Sequence, residues 1–242
     1  LEIARDLAPN ANVHKTFDLA PLLLSSEAYN TTNAKRNGIA LTLCSVAVDA
    51  MGKTNKAQEE QRFEHGLVVA VSFMNYYAQE TERFTLRKLT ENDIEVWSQF
   101  FVDNSNVHFV GIKLTEDIVS HSKDWIEKQL ARYENNDYGL LAAIDKTTGK
   151  LVGQGGIMTR DMDGKVEYEI GYSVLPAFWG KGIATELAIE LKRFGKENQV
   201  SEKFISIIHK ENEGSMNVAR KNGMTNLYET TFYEMPVFVF GD

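Results

Sequence analysis

The 242-residue sequence has one cysteine, Cys44, and lacks any apolar stretch that approaches the length of a membrane helix. A single cysteine excludes an internal disulfide framework and a cysteine-based zinc cluster, and it fits a reducing cytoplasm. A membrane helix needs about 20 apolar residues, whereas the longest clean apolar run here is Leu67 to Phe73. The first residues also lack the basic-then-apolar layout of a signal peptide. These absences predict a cytoplasmic protein.

Blocks of positive charge are also missing. The chain has 34 acidic residues against 26 lysines and arginines, which gives a net charge of −8. Nucleic-acid binding depends largely on lysines and arginines that neutralise phosphates, and attachment to anionic membranes uses the same residues. We therefore expect neither nucleic acid nor a membrane as a partner. The five histidines are scattered without the spacing of metal ligands, so no metal site is predicted.

The chain changes character near residue 75. Residues 1–75 read as an extension of unknown role that is mostly helical, with a buried helix expected over Gly38 to Met51 and an exposed one over Lys53 to Glu64. Met74 lies at this change, and a shorter protein that starts there is one expectation. Residues 76–242 are predicted to form a second domain.

Residues 76–242 alternate strand and helix patterns in an order that predicts an α/β (α+β) domain with a mixed sheet. Three strands in series are separated by short turns, which indicates an antiparallel meander. The expected strands are Phe84–Leu89, Tyr138–Asp145, Leu151–Met158, Val166–Leu175, Lys203–Ile208 and a final pair within Tyr228–Phe240. The expected helices are a short one capped by Thr90, then Thr115–Tyr133, Gly182–Lys196 and Glu213–Asn222.

A glycine-rich stretch joins the last meander strand to an amphipathic helix. The unpaired N–H groups and the dipole of a helix N-terminus attract anions, and small residues let a diphosphate approach the backbone closely. A loop that merely starts a helix is the alternative for these residues taken alone. A second glycine-rich run, residues 153–156, lies inside a predicted strand. The candidate anion-binding residues are Trp179, Gly180, Lys181, Gly182, Ile183 and Ala184.

From about Thr81 to Gly241 the chain resembles the GCN5-related N-acetyltransferases (GNAT), and among them the group that acetylates ribosomal-protein N-termini. Gly182 and Ala184 fill the small positions of that superfamily's loop, Arg/Gln-x-x-Gly-x-Gly/Ala, and Trp179 stands where Arg or Gln is usual. Residues 211–215 (ENEGS) resemble the group's Glu-Asn-x-x-Ser helix. The resemblance implies a GNAT fold with splayed central strands and flanking helices, and acetyl-CoA as the acetyl donor.

The resemblance also implies roles for the last meander strand. Glu169 matches the superfamily's glutamate base, which takes a proton from the amine directly or through water; Glu167 is the second candidate. A cross-strand partner for a lysine or arginine is the alternative for Glu169. A bulge in this strand would leave the Ser173 amide free to stabilise the oxyanion. The amides around Val174 and Leu175 would pair with the pantetheine arm.

Two residues of the Glu-Asn-x-x-Ser helix complete the expected site. Ala219 occupies the position where many relatives have a tyrosine acid, so the resemblance gives Ser215 the role of protonating the departing thiolate. A hydrogen bond to the backbone in the first helical turn is the alternative for Ser215. Asn212 is expected to cap the helix and to hydrogen-bond to pantetheine.

These features predict an acetyl-CoA-dependent N-acetyltransferase that acts on a primary amine, either a protein N-terminus or a small molecule. Direct attack on the donor is expected because the second domain contains no cysteine. The acceptor slot is expected between residues 93–135 and the loop at Tyr233–Val237. Acidic residues there either suit a cationic acceptor or form a solvated helix face. They are Asp117, Glu127, Glu134 and Asp137.

A non-catalytic module with the GNAT fold is the alternative function. Such a protein would bind acyl-CoA as a sensor, or a partner through residues 1–75, and the missing tyrosine acid keeps this alternative open. The identity of the acceptor and the oligomeric state, a homodimer included, are left open by the sequence.

Overall fold

The structure is a computed structural model, and it describes residues 76–114, 117–162 and 164–242. The helices predicted within residues 1–75 lie outside the described residues, and so does Cys44. Within the described ranges, no helix combines the length and the apolar character needed to cross a membrane.

The described residues form one mixed sheet of seven strands. These are β1 (Phe84–Lys88), β2 (Leu140–Asp145), β3 (Leu151–Met162), β4 (Lys165–Val174), β5 (Ile205–His209), β6 (Thr225–Phe232) and β7 (Met235–Gly241). The strand order is β1-β2-β3-β4-β5-β7-β6, and every neighbouring pair is antiparallel except β4 and β5. The predicted mixed sheet with an antiparallel meander, β2 to β4, is therefore confirmed.

Helices cover both faces of this sheet. They are α1 (Ile94–Ser98), α2 (Ile118–Glu134), α3 (Ile183–Glu197) and α4 (Glu213–Lys221). Gly155 of β3 lies against Leu187 and Leu191 of α3, whereas the neighbouring Gln154 accepts a hydrogen bond from Trp125 of α2 at 2.9 Å. Because successive residues of a strand face opposite sides, α2 and α3 pack on opposite faces.

The parallel pair β4–β5 separates almost as soon as it forms. Only Glu169 of β4 and Ile205 of β5 are paired in the ladder between these two strands. The Ser206 hydroxyl also donates a hydrogen bond to the Ile170 carbonyl at 2.8 Å. Beyond these contacts the strands diverge toward their carboxyl ends. The predicted splay of the central strands is confirmed, and it opens a gap beside the second half of β4.

The turn from β1 into α1 is stabilised by a buried carboxylate. Asp93 and Thr90 form a capping box, in which the Thr90 amide donates to Asp93 at 2.8 Å. The guanidinium of Arg87 donates to both oxygens of Asp93 at 2.7 Å. Burial alone would raise the pKa of Asp93, but the bonds from Arg87 and Thr90 outweigh it and hold that pKa below its usual value.

The variant Asp93→Asn is expected to lower the free energy of unfolding at pH 7 by about 2 kcal/mol, the combined effect of a lost cap and a broken ion pair. A carboxylate with a lowered pKa in the folded state stabilises the fold above its unfolded pKa, near 4, and loses that effect as the pH falls through the folded pKa. The difference from the wild type should therefore shrink below about pH 4.

Denaturant unfolding at several pH values between 7 and 3 measures this difference. Glu95→Gln removes a charge from an exposed residue of the same segment and serves as the control, with little expected change. A difference for Asp93→Asn that stays constant over the whole range would show that the carboxylate charge is not what stabilises the turn.

Candidate active site

A cleft of about 620 Å³ opens where the end of β4 meets the N-termini of α3 and α4. Most of the candidate residues that the sequence analysis named line this cleft. They are Ser173, Val174, Trp179, Gly180, Lys181, Gly182, Ile183, Ala184, Asn212 and Ser215. Three candidates, Glu167, Glu169 and Leu175, are not among the lining residues. The glycine-rich loop, the end of the meander and the Glu-Asn-x-x-Ser helix are thus brought to one place.

The glycine-rich loop ends directly at the first residue of α3. Gly180 and Gly182 have φ angles of 76° and 75°, a left-handed conformation that favours glycine. Gly182 is the N-cap residue and brings no side-chain hydrogen bond to the helix. Among the described residues, no side chain caps the first amides of α3, as an anion site at a helix N-terminus requires.

The backbone amides at the end of β4 differ in direction from the prediction. The Leu175 amide donates to the Val152 carbonyl at 3.0 Å, and the β3–β4 ladder runs without a register shift. Since amide direction alternates along a strand, the amide of Ser173 also faces β3. The expected bulge is absent from this pairing, so the expectations for the Ser173 and Leu175 amides are wrong. The amides of Tyr172 and Val174 face the gap instead.

Trp179 ties the loop to the end of β4. Its indole Nε1 donates to the Val174 carbonyl at 2.6 Å, and its side chain lines the cleft. The residue that departs from the superfamily's Arg or Gln is therefore tied to the strand through its indole N–H, while 44% of it remains exposed.

Ser215 lines the cleft at the N-terminus of α4. Its amide donates to the Asn212 side chain at 3.0 Å, so the predicted helix cap at Asn212 is confirmed. Its carbonyl accepts a bond from the Tyr172 hydroxyl at 3.0 Å. The Ser215 side chain also hydrogen-bonds to the Tyr172 phenol. Both the backbone and the side chain of Ser215 are thus tied to Asn212 and Tyr172 at the edge of the cleft.

Tyr172 lines the cleft, and the sequence reasoning did not single it out. Burial raises the pKa of its phenol, which keeps it protonated and donating to Ser215. The alternation of β4 already indicated that Tyr172 faces away from Glu169 and Ser173, which is the side of α3 and α4. Its contact with α4 required the packing of that helix.

Glu169 is buried and paired. It is 7% exposed, and the Arg160 Nε donates to it at 2.5 Å. The guanidinium of Arg160 also lies 5.6 Å from the ring centre of Phe232, at the end of β6. The cross-strand ion pair expected as the alternative for Glu169 is present in the structure.

A second wall of the cleft comes from the segment between α1 and α2. Phe100, Phe109 and Val110 of this segment line the cleft with two asparagines. The ring of Phe109 lies 5.0 Å from that of His209, the last residue of β5. Beyond it, the Cε atom of Met235 in β7 lies close to Gly111. The β6–β7 hairpin and this segment therefore approach each other.

The four acidic residues expected at the acceptor slot do not line the cleft. Glu134 is exposed. The other three bond to neighbouring residues: Asp117 to the Ser120 amide at 2.9 Å, Glu127 to Lys123 at 3.6 Å and Asp137 to Arg132 at 2.6 Å. Among the described residues, no group of three or more histidine, cysteine or acidic side chains could hold a metal ion.

Comparison with known proteins decides the family. A family model described as an acetyltransferase (GNAT) domain matches residues 83–225, more than half of the chain. The chain belongs to the GNAT family of acetyltransferases. This acetyltransferase is also 27% identical over 154 residues to an uncharacterized N-acetyltransferase of Bacillus licheniformis, a match that covers 62% of this chain and 85% of the relative.

Solved structures share the fold of the acetyltransferase at lower identity. A ribosomal-protein-S5-alanine acetyltransferase from Vibrio fischeri is 16% identical, with a TM-score of 0.55 over 68% of this chain and 95% of that one. The microcin C7 self-immunity acetyltransferase MccE, solved in complex with acetyl-CoA and AMP, is 19% identical, with a TM-score of 0.57 over 71% and 98%. The resemblance to GNAT proteins is thus confirmed, with ribosomal-protein acetyltransferases among the structural neighbours.

Proposed function

We propose that the acetyltransferase transfers the acetyl group of acetyl-CoA to a primary amine by direct attack. The observation that carries this proposal is the cleft in which the amides of α3, the gap beside β4 and the side chain of Ser215 meet. A similar fold, that of MccE, binds acetyl-CoA.

The described residues fit the donor along the length of the cleft. The loop of residues 180–184 would take the diphosphate, because it offers unpaired amides and, at Gly180, open space. The Val174 amide and the Asn212 side chain would pair with the pantetheine arm. Deeper in the gap, the Tyr172 amide would donate to the thioester carbonyl, the oxyanion role that the resemblance implied for the Ser173 amide.

Ser215 is proposed to protonate the departing thiolate. Its side chain lines the cleft beside the Tyr172 phenol, and its backbone is held by Asn212 and Tyr172. Ala219 is 1% exposed, so a tyrosine at that position would have no room without a shift of α4. No observation on the described residues favours a non-catalytic acyl-CoA sensor over the enzyme.

The acceptor is proposed to be a protein N-terminus or a small amine that enters beside Phe100 and Phe109. The acids beside α2 do not line this wall, so they would not be the groups that select a cationic acceptor. The amine's proton is proposed to pass to Glu169.

Saturating acetyl-CoA is expected to raise the melting temperature of the chain by roughly 5–10 °C. A ligand at 100 times its Kd stabilises by about 2.7 kcal/mol, and each kcal/mol shifts the midpoint of a domain of this size by about 2–4 °C. Gly182→Glu, which places a carboxylate in the diphosphate site, should abolish the shift.

Gly149→Glu is the matched control. Gly149 has a φ of 68° and open space around its Cβ position, but it lies in the β2–β3 turn, outside the cleft. Gly149→Glu should have a lower melting temperature than the wild type but keep the increase that acetyl-CoA produces. An unshifted wild type, or an intact shift in Gly182→Glu, would reject the proposed donor site. Donor binding without acetylation of any amine in a panel of peptides and small amines would reject the enzyme in favour of a sensor.

A further inference from the structure

Arg83 lies just before the edge strand β1 but reaches the N-terminus of α3. Its backbone amide and its Nε donate to the two oxygens of Glu186 at 2.9 Å and 2.6 Å. Its Nη1 donates to the carbonyl of Lys181 at 3.0 Å. The Thr81 hydroxyl adds a bond to Glu186 at 2.5 Å. One arginine thus joins the edge of the sheet to the glycine-rich loop and to the first turn of α3.

The bond to Lys181 sets the orientation of a peptide unit in the loop. In a planar trans peptide the C=O and the following N–H point in opposite directions. Since the Lys181 carbonyl points at Arg83, the Gly182 amide points away from Arg83. Gly182 lines the cleft, while Arg83 is absent from its lining. Arg83 therefore holds the Lys181–Gly182 peptide so that the Gly182 N–H points away from Arg83 and toward the cleft.

The hydrogen bonds from Arg83 to Glu186 compensate a negative charge close to the proposed diphosphate site. Glu186 lies in the first turn of α3, where a carboxylate would repel a diphosphate. Burial by itself would raise the pKa of Glu186, but bonds from Thr81 and Arg83 outweigh it and keep the pKa below its usual value. The carboxylate is therefore ionised at neutral pH, and the guanidinium next to it compensates its charge.

We propose that Arg83 is a positioning residue for the donor, which orients the Lys181–Gly182 peptide toward the diphosphate and neutralises Glu186 beside it. Arg83 acts through the loop and does not touch the reacting atoms. This inference rests on the proposed binding of the acetyl-CoA diphosphate to that loop, and it adds a residue about 100 positions away in sequence from the loop.

Arg83→Gln is expected to raise the Kd for acetyl-CoA about tenfold, the effect of losing one charge-assisted hydrogen bond and one compensating charge. Calorimetric titration measures this Kd without turnover. In kinetics, the KM for acetyl-CoA should rise to a similar extent, while kcat and the KM for the acceptor change little. Acetyl-pantetheine, which lacks the diphosphate, should be used equally well by the variant and the wild type.

Arg193→Gln is the matched control. Arg193 lies on α3, the helix that Arg83 contacts, and its side chain is 52% exposed against 43% for Arg83. It also pairs with carboxylates, those of Glu190 and Glu197. Its replacement should lower the melting temperature slightly without changing the Kd for acetyl-CoA. The double variant Arg83→Gln/Glu186→Gln separates the two effects, because recovery of binding reports charge compensation and continued weak binding reports the orientation of the peptide.

An unchanged Kd in Arg83→Gln, or an equal loss with acetyl-pantetheine, would overturn the proposal. Neither result touches the proposed function, since the wild type would still bind acetyl-CoA. Failure of the proposed function looks different, because the wild-type chain would then give no heat of binding with acetyl-CoA at all.

Discussion

An alanine at Gly156 is expected to lower the free energy of unfolding by about 3 kcal/mol or more, at the upper end of the effects of overpacking. A Cβ atom there would lie 2.2 Å from the Gly139 carbonyl oxygen and 2.7 Å from the Leu140 Cα. Both are backbone atoms at the start of β2. The Tyr76 hydroxyl donates to the same Gly139 carbonyl at 2.5 Å, so this carbonyl cannot swing aside without breaking a buried bond.

Gly171→Ala is the matched control for this prediction. A Cβ atom at Gly171 would lie 2.3 Å from the Met158 Cε, so one of the two atoms must shift. The Met158 Cε is the end of a flexible side chain. Methionine can change rotamer to make room, so the loss should stay near 1 kcal/mol. Urea unfolding of both variants measures the difference. Equal losses would mean that β2 can move away from β3 at Gly139 more readily than the packing indicates.

The glycines of residues 153–156 also show where sequence reasoning reaches its limit. Their composition suggests a phosphate loop, and the flanking pattern places them in a strand, which the structure confirms. The reason for glycine could not be read from the sequence. Gly153 and Gly156 are approached by backbone of β4 and β2, respectively, and Gly155 by α3. Such approaches depend on the register of three strands, which no local pattern specifies.

The candidate site also contains features that the local sequence predicts and features that depend on distant parts of the chain. The loop at Gly182 and the cap at Asn212 were predictable because each depends on residues within one turn of a helix. The direction of the Ser173 amide was not, because it depends on whether β4 carries a bulge opposite β3. Arg83 was missed because its contacts with Lys181 and Glu186 join segments about 100 residues apart, and an isolated arginine beside a strand gives no signal of that.

The acceptor side shows a third case, in which the sequence offered two alternatives. Glu169 was expected either as the base or as the partner of a cationic side chain, and the structure contains the ion pair with Arg160. The two roles are compatible. Glu169 faces the α2 side of β4, as Ser173 does, but it lies about 10 Å along the strand from Tyr172. A proton from the amine would have to reach it through water.

Glu169→Gln is therefore expected to lower kcat/KM for the acceptor at least about 100-fold, as loss of a general base does. The Kd for acetyl-CoA should stay unchanged, because Glu169 does not line the cleft that would hold the donor. Thiol release under saturating acetyl-CoA measures kcat/KM for the acceptor, once an acceptor is in hand, and calorimetric titration measures the Kd.

Arg160→Gln separates a base from an ion-pair partner, because it breaks the same ion pair and keeps the carboxylate. Both variants are expected to lower the melting temperature by similar amounts, since each leaves one member of a largely buried pair uncompensated. If Glu169 is the base, Arg160→Gln retains most of its turnover per folded molecule. If the two variants lose activity equally, Glu169 serves only to hold Arg160 beside Phe232 and the β6–β7 hairpin, and the amine must lose its proton by another route.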